Sequence, residues 1–338
     1  MNTSSELSPT ESPKEFDGGT AAACVILGLS FLVGAPGNLL VIWTILRHIK
    51  QRSHTVVLIL HLAAADMLVL FTLPLWIYSL MHTWMFGEAL CKALVYVINV
   101  CMFSSILFIT VMSMERFLAI CHPFVMLRWK IQSTMNRCLV GLWFLALLLG
   151  LPAILTQTLD ESNGAEQCFF KEFSSATQAI VFLCLETLLG FVLPLITLGI
   201  CNCLIAAQLR KMSFSSKQRS TVLVHSVVIA FILCWLPYHI INIIDLVCVL
   251  LTDTYHECVP ESLVFSSGAL VFISSSVNPV LYAFFAKNFR GSLEESRLVK
   301  LFQEMVTYTN KCRELAMQHQ TGQRAANTRT DLMSNSLC

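Results

Sequence analysis

Seven stretches of this chain are almost continuously apolar, and each is long enough to cross a bilayer as a helix. They run near 20–46, 55–81, 89–121, 136–157, 177–209, 221–251 and 261–286. A helix that rises about 1.5 Å per residue needs roughly 20 apolar residues to span the hydrocarbon. The second, third, fifth, sixth and seventh stretches are interrupted by single polar residues, which are costly in lipid and so face the interior of a bundle. The connecting segments are short, the longest near 158–176, and leave no room for a separate domain. No internal repeat is visible. The pattern predicts an all-α membrane protein, a seven-transmembrane helix bundle over 20–286, preceded by an N-terminal tail over 1–19. A short amphipathic helix over 287–300, lying on the inner leaflet, and a disordered polar tail over 301–338 are expected after it.

Composition agrees with a bilayer as solvent. Of 338 residues 56% are hydrophobic and 13% charged, against roughly 25% charged in soluble domains. The net charge of +1 gives no footing for a nucleic-acid partner. Lys and Arg decide the orientation. With the N-terminus outside, only Lys14, Lys92 and Lys171 lie on the outer side, and the other 19 of 22 fall at inner positions. This asymmetry predicts N-out, C-in and an odd number of spans. Residues 1–18 lack a basic-then-apolar order, so the first span is expected to act as its own signal-anchor. Asn2-Thr3-Ser4 is an N-glycosylation sequon on the outer side.

Most of the 14 cysteines lie within spans, where Cys behaves as a small apolar residue. Cys91 opens the third span and Cys168 lies in the second outer loop, both facing an oxidising compartment. Their pairing is expected to tie that loop across the mouth of any pocket. Cys24 and Cys258 are a weaker candidate for a second bridge, and Cys312 is a candidate palmitoylation site.

Each span carries one marker. Gly37-Asn38 is in the first, Leu62-Ala63-Ala64-Ala65-Asp66 in the second, and Glu115-Arg116-Phe117 ends the third. Trp143 is in the fourth, Pro194 in the fifth, Cys234-Trp235-Leu236-Pro237 in the sixth and Asn278-Pro279-Val280-Leu281-Tyr282 in the seventh. Seven in this order, over residues 20–290, resemble the rhodopsin-like G-protein-coupled receptors. An acid inside the membrane needs partners; the resemblance implies a sodium ion held by Asp66 with Ser105, Ser274, Ser275 and Asn278 as oxygen ligands. A protonated, hydrogen-bonded Asp66 is the plainer alternative. Pro237 and Pro279 break backbone bonds and kink their helices, so Trp235 can relay ligand contact inward. The resemblance implies a switch in which Arg116 pairs with Glu115 at rest and is released toward a G protein, beside Tyr282. One position departs from the family: Asn202 stands where a Tyr is usual, eight residues after Pro194, and the active state loses that Tyr.

Within the family, 179–194 and 231–283 resemble the leukotriene B4 receptor subgroup. The residues are Leu185-Glu186-Thr187, Phe191-Val192-Leu193-Pro194, Trp235-Leu236-Pro237-Tyr238-His239 with Asn242, and Ser274-Ser275-Ser276-Val277-Asn278-Pro279, joined by Leu60-His61-Leu62-Ala63. The resemblance implies an extracellular lipid chemoattractant such as leukotriene B4 or a related hydroxy fatty acid, inhibitory G proteins and leukocyte migration. Glu186 lies about 12 Å outward from Pro194, at pocket depth, where it suits a ligand hydroxyl; a glutamate satisfied by His239 or Asn242 is the plainer alternative. His239 and Asn242 lie one turn apart on similar faces. The usual seventh-span Arg of that subgroup is missing near Val264, which leaves Lys92, Lys171, His82 and His256 as cationic candidates, Lys92 the best placed. Ligand contacts are therefore expected from Lys92, Glu186, Trp235, His239 and Asn242.

Other functions fare worse. The third span has no acid between Lys92 and Met114 for an amine ligand, and residues 261–286 have no Lys for a retinal Schiff base. No nucleophile elbow or HExxH pair points to an enzyme. A peptide or chemokine-type ligand stays open because the outer segments are acidic, and a non-signalling scavenger is the remaining rival. Thr307, Thr309, Thr321, Thr328, Thr330, Ser334 and Ser336 offer sites for receptor kinases and arrestin.

Overall fold

The computed structural model describes residues 18–50, 53–122, 132–160, 167–171, 173–211, 219–252, 258–286, 297–307 and 318. Outside them lie Asn2, His256, Cys312, residues 287–296 and the tail sites Thr309, Thr321, Thr328, Thr330, Ser334 and Ser336, as does the side chain of Lys171.

The helices are α1 (Gly18–His48), α2 (His54–Met81), α3 (Gly87–Cys121) and α4 (Gln132–Thr156). A short hairpin comes next, β1 (Gln157–Asp160) and β2 (Gln167–Lys171), paired antiparallel with Gln157 opposite Lys171 and Asp160 opposite Gln167. The fifth span is a continuous rod of α5 (Ala176–Thr187), a π-helical turn (Leu188–Val192) and α6 (Leu193–Lys211). α7 (Arg219–Thr252) and α8 (Glu261–Ala286) are the sixth and seventh spans. Among the described residues, seven helices are long and apolar enough to cross a membrane. Their outward faces present Leu, Ile, Val and Phe, such as Leu32, Val140, Leu233 and Phe284, as lipid requires.

Packing closes a ring. α1 contacts α2 and α8, α2 contacts α3, α3 contacts α4 and α6, α5 contacts α7, and α7 contacts α8. Side chains fix the neighbours. Asn38 donates from Nδ2 to the carbonyls of Gly34 at 3.1 Å and Ser275 at 2.8 Å, tying α1 to α8. Trp143 Nε1 donates to His61 Nδ1 at 3.2 Å, tying α4 to α2, with Phe108 of α3 edge-on to Trp143. Serines cap two helices: Ser53 accepts from the amide of Val56, and Ser175 from that of Gln178, each relieving an unpaired first-turn donor. Gly87 opens α3 at φ 76°, a conformation that disfavours other residues.

Two disulfides mark one end of the bundle. Cys91 pairs with Cys168 as the sequence predicts. The second candidate pairing is corrected: Cys258 joins Cys248, not Cys24, which is a free thiol. The reason is local. Cys248 lies near the end of α7, only ten residues before Cys258, whereas Cys24 sits inside α1.

The chain after the seventh span differs from expectation. Residues 297–307 form a further helix, α9, that extends past the expected boundary at residue 300. Its Leu298, Leu301, Phe302 and Met305 are buried in the same core cluster as Ile45, Val56 and Tyr282. Their i, i+3, i+4, i+7 spacing is the apolar stripe of a packed amphipathic helix. Thr307 bonds the Gln303 carbonyl at its end.

Candidate functional site

The helices leave a cavity of about 240 Å³ below the Cys91–Cys168 bridge. Leu27, Trp76, Ile98, Met102, Phe103 and Phe272 are among its apolar walls, and Cys168 and Gln157 of the hairpin reach it from the disulfide end. Gln157 Nε2 donates to the Cys168 carbonyl at 2.8 Å, fixing the hairpin over the opening. Trp235 lies at the cavity's deep end, its ring stacked at 5.7 Å on His239, which stacks at 4.7 Å on Phe191. Gly190 of the π turn faces this stack: a Cβ there would meet Phe103 at 3.5 Å and His239 at 3.7 Å.

The polar wall is concentrated at the junction of α5 and α7. Glu186 accepts from the Tyr238 hydroxyl at 2.7 Å through Oε1 and from Asn242 Nδ2 at 3.1 Å through Oε2. The two bonds join α5 to α7, so this three-residue node holds the two helices in register. Tyr238, Asn242 and Asp245 stand at i, i+4 and i+7, one face of α7, and all three line the cavity.

The structure thus brings together Glu186, Trp235, His239 and Asn242, four of the five expected ligand residues. It does not bring Lys92 with them. Lys92 Nζ pairs with Glu88 Oε1 at 2.6 Å on the partly exposed surface of α3, and is not among the cavity residues. Val264, the position near which a cation was missed, does line the cavity. Sequence reasoning overlooked Asp245, Asn99 and the hydrogen-bonding role of Tyr238. Asp245 carried the available signal, an acid inside an apolar span, one turn beyond Asn242.

A second polar cluster lies in the middle of the bundle. Asp66 is buried and accepts from Asn278 Nδ2 at 2.8 Å, with the hydroxyls of Ser275 and Ser105 also within hydrogen-bonding reach. Ser274 turns to its own helix and donates to the Val271 carbonyl at 2.7 Å. Carboxylate, amide and hydroxyl oxygens from three helices are the donor set a hard cation takes, so Asp66, Ser105, Ser275 and Asn278 could hold sodium.

The third cluster is at the opposite end from the disulfides. Glu115 and Arg116 are both buried, and the Glu115 carboxylate accepts from the Thr55 hydroxyl at 2.5 Å. The Tyr282 hydroxyl and the Asn202 Oδ1 are buried with no hydrogen-bond partner among the described residues. Buried polar groups are rarely left so.

Comparison with known proteins agrees with this geometry. Leukotriene B4 receptor 1 of Bos taurus is 34% identical over 300 residues, covering 84% of this chain and 82% of that protein. The Homo sapiens receptor of the same name is 34% identical over 288 residues, covering 84% and 81%. Somatostatin receptor type 4 of Rattus norvegicus is 32% identical over 279 residues, covering 80% and 71%. These proteins are receptors, and none is an enzyme by name. The sequence profile described as 7 transmembrane receptor (rhodopsin family) matches residues 37–282, and with seven spans, a mid-bundle acid and a buried Glu115-Arg116 pair, this chain belongs to the rhodopsin family of seven-transmembrane G-protein-coupled receptors.

Proposed function

We propose that this receptor sits in the plasma membrane with its N-terminus outside and binds an extracellular lipid chemoattractant, leukotriene B4 or a related hydroxy fatty acid, signalling through inhibitory G proteins. One observation carries the reading: a largely apolar cavity whose polar groups gather at the Glu186–Tyr238–Asn242 node. An acyl chain fills the apolar walls, and its hydroxyl joins the node, where Glu186 has lone pairs beyond the two already engaged. The names of the 34% identical relatives support the same ligand.

Ligand pressing on His239 and Trp235 biases the kink at Pro237, and the inner ends of the spans part around Arg116. Both arrangements exist beforehand, and the ligand favours one by its differential contacts. Sodium at Asp66 favours the resting arrangement. Lys92, paired with Glu88 outside the cavity, is left out of the ligand contacts. Receptor kinases and arrestin then act on the tail.

The test is inhibitory G-protein activation in cells expressing the chain, challenged with leukotriene B4, related hydroxy fatty acids and a panel of chemotactic peptides. A saturable lipid response that Glu186→Ala weakens by about tenfold or more, the worth of bonds to a charged group, supports the proposal. A response to peptides alone removes it. Binding of leukotriene B4 without G-protein activation would leave a scavenger.

A further inference from the structure

The cavity carries two carboxylates, Glu186 and Asp245, and among its described lining residues there is no Lys or Arg. That is an unusual lining for a pocket proposed to take a fatty-acid anion. A carboxylate brought beside the half-buried Glu186 and the buried Asp245 meets like charge, and the described lining offers it no Lys or Arg for a charge-assisted pair, His239 being stacked between Trp235 and Phe191. The same lining rewards hydrogen-bond donors. Val264 gives the α8 wall an apolar side chain.

The two acids occupy different levels. Glu186 is engaged by Tyr238 and Asn242, and Asp245 stands one turn beyond Asn242 on the same face of α7, about 4.5 Å further along the axis toward the disulfide end. Asp245 is 7% exposed, so a ligand group meeting it is shielded from water. Cys248, three residues on, is joined to Cys258 just before α8, which ties the outer end of this wall to the helix carrying Val264 and Ser267.

Resting on the lipid reading above, we propose that Asp245 is a specificity-determining residue: the cavity recognises its lipid through two hydroxyl donors, one at the Glu186 node and one at Asp245, and does not read the ligand's acid group. The ligand is therefore a dihydroxy lipid whose carboxylate stays at the wet mouth of the cavity. Neutral head groups are accepted, and loss of either hydroxyl is not.

The experiment is competition against radiolabelled leukotriene B4 on membranes bearing the full-length receptor. The competitors share one chain: the dihydroxy acid, its primary amide, and the two acids each lacking one hydroxyl. The amide is expected within about threefold of the acid, and each deoxy acid to weaken by about tenfold or more. Asp245→Ala is expected to weaken the dihydroxy acid by a similar factor while leaving one deoxy acid unchanged, and Asp245→Asn, which keeps an acceptor, to retain most of the affinity. A large loss on converting the acid to the amide overturns the proposal. So does an Asp245→Ala loss that is equal for the diol and both deoxy acids, since that marks a structural role. If wild-type receptor binds none of these lipids but answers peptides, the lipid reading fails and this inference with it. If the lipids bind and only the hydroxyl pattern fails, the lipid reading stands alone.

Discussion

The ring of Phe302 meets the ring of Tyr282 edge-on, with centroids 6.0 Å apart and planes at 67°. Phe302 has 0% and Tyr282 2% of its surface exposed, so the apolar face of α9 is part of the core. Phe302→Ala is expected to cost about 3 kcal/mol, the range for a buried aromatic truncated to Ala. Thermal unfolding of the purified receptor measures it, with exposed Gln303→Ala as the control that should change little.

The contact of α1 with α8 depends on a residue without a side chain. A Cβ at Gly37 would lie 2.8 Å from Cβ and Cγ of Pro279, and a proline ring fixed in its own helix cannot yield. Gly37→Ala should therefore cost about 1–3 kcal/mol through overpacking, whereas Gly141, which has nothing within 4 Å, should accept Ala without loss. Melting temperatures of the two variants decide the point.

The two disulfides should differ in worth. They close loops of sequence separation 77 and 10, and chain-entropy reasoning gives the longer loop about 2 kcal/mol more stabilisation. Cys91→Ala is expected to lower the unfolding temperature more than Cys248→Ala. It should also reduce ligand binding more, because the Cys168 strand roofs the cavity.

Asp66 gives a prediction in salt. If sodium favours the resting receptor, agonist affinity measured in sodium chloride should fall relative to N-methylglucamine chloride at equal ionic strength. Asp66→Asn should abolish that difference. Equal sodium sensitivity in Asp66→Asn would remove the ion from this site and leave the Asn278 bond as the whole role of the acid.

The spans were legible because apolar length is a one-dimensional signal, and the polar interruptions at Asp66, Glu186 and Asn242 pointed inward for the same reason. Pair geometry was less so. Asn242 was one of two candidate partners for Glu186 in the sequence, but that Tyr238 and not His239 would supply the second bond depends on how α5 and α7 meet, which no spacing within either helix states. The Cys248 partner of Cys258 was hidden among span cysteines that look alike in sequence. Leu298, Leu301, Phe302 and Met305 did show a helical stripe, but the polar Gln, Thr and Asn content of the C-terminal tail outweighed four apolar positions. Lys92 differs in another way: adjacency to Cys91 in sequence suggested a cavity position, while its side chain runs along the helix to pair with Glu88.

The π-helical turn at Leu188–Val192 separates Glu186 from Asn202 within one continuous rod. One extra residue in a turn changes the angular phase between the two flanking helical segments by about 100°. The fifth span is therefore indexed twice, once for the cavity and once for the face that meets α3. A single-residue deletion in 188–192 that restored regular α-helix would swing Glu186 off Tyr238 while leaving Asn202 where it is. Ligand reading and signal output on this helix can thus be re-aimed separately by the length of five residues, with no substitution in either site.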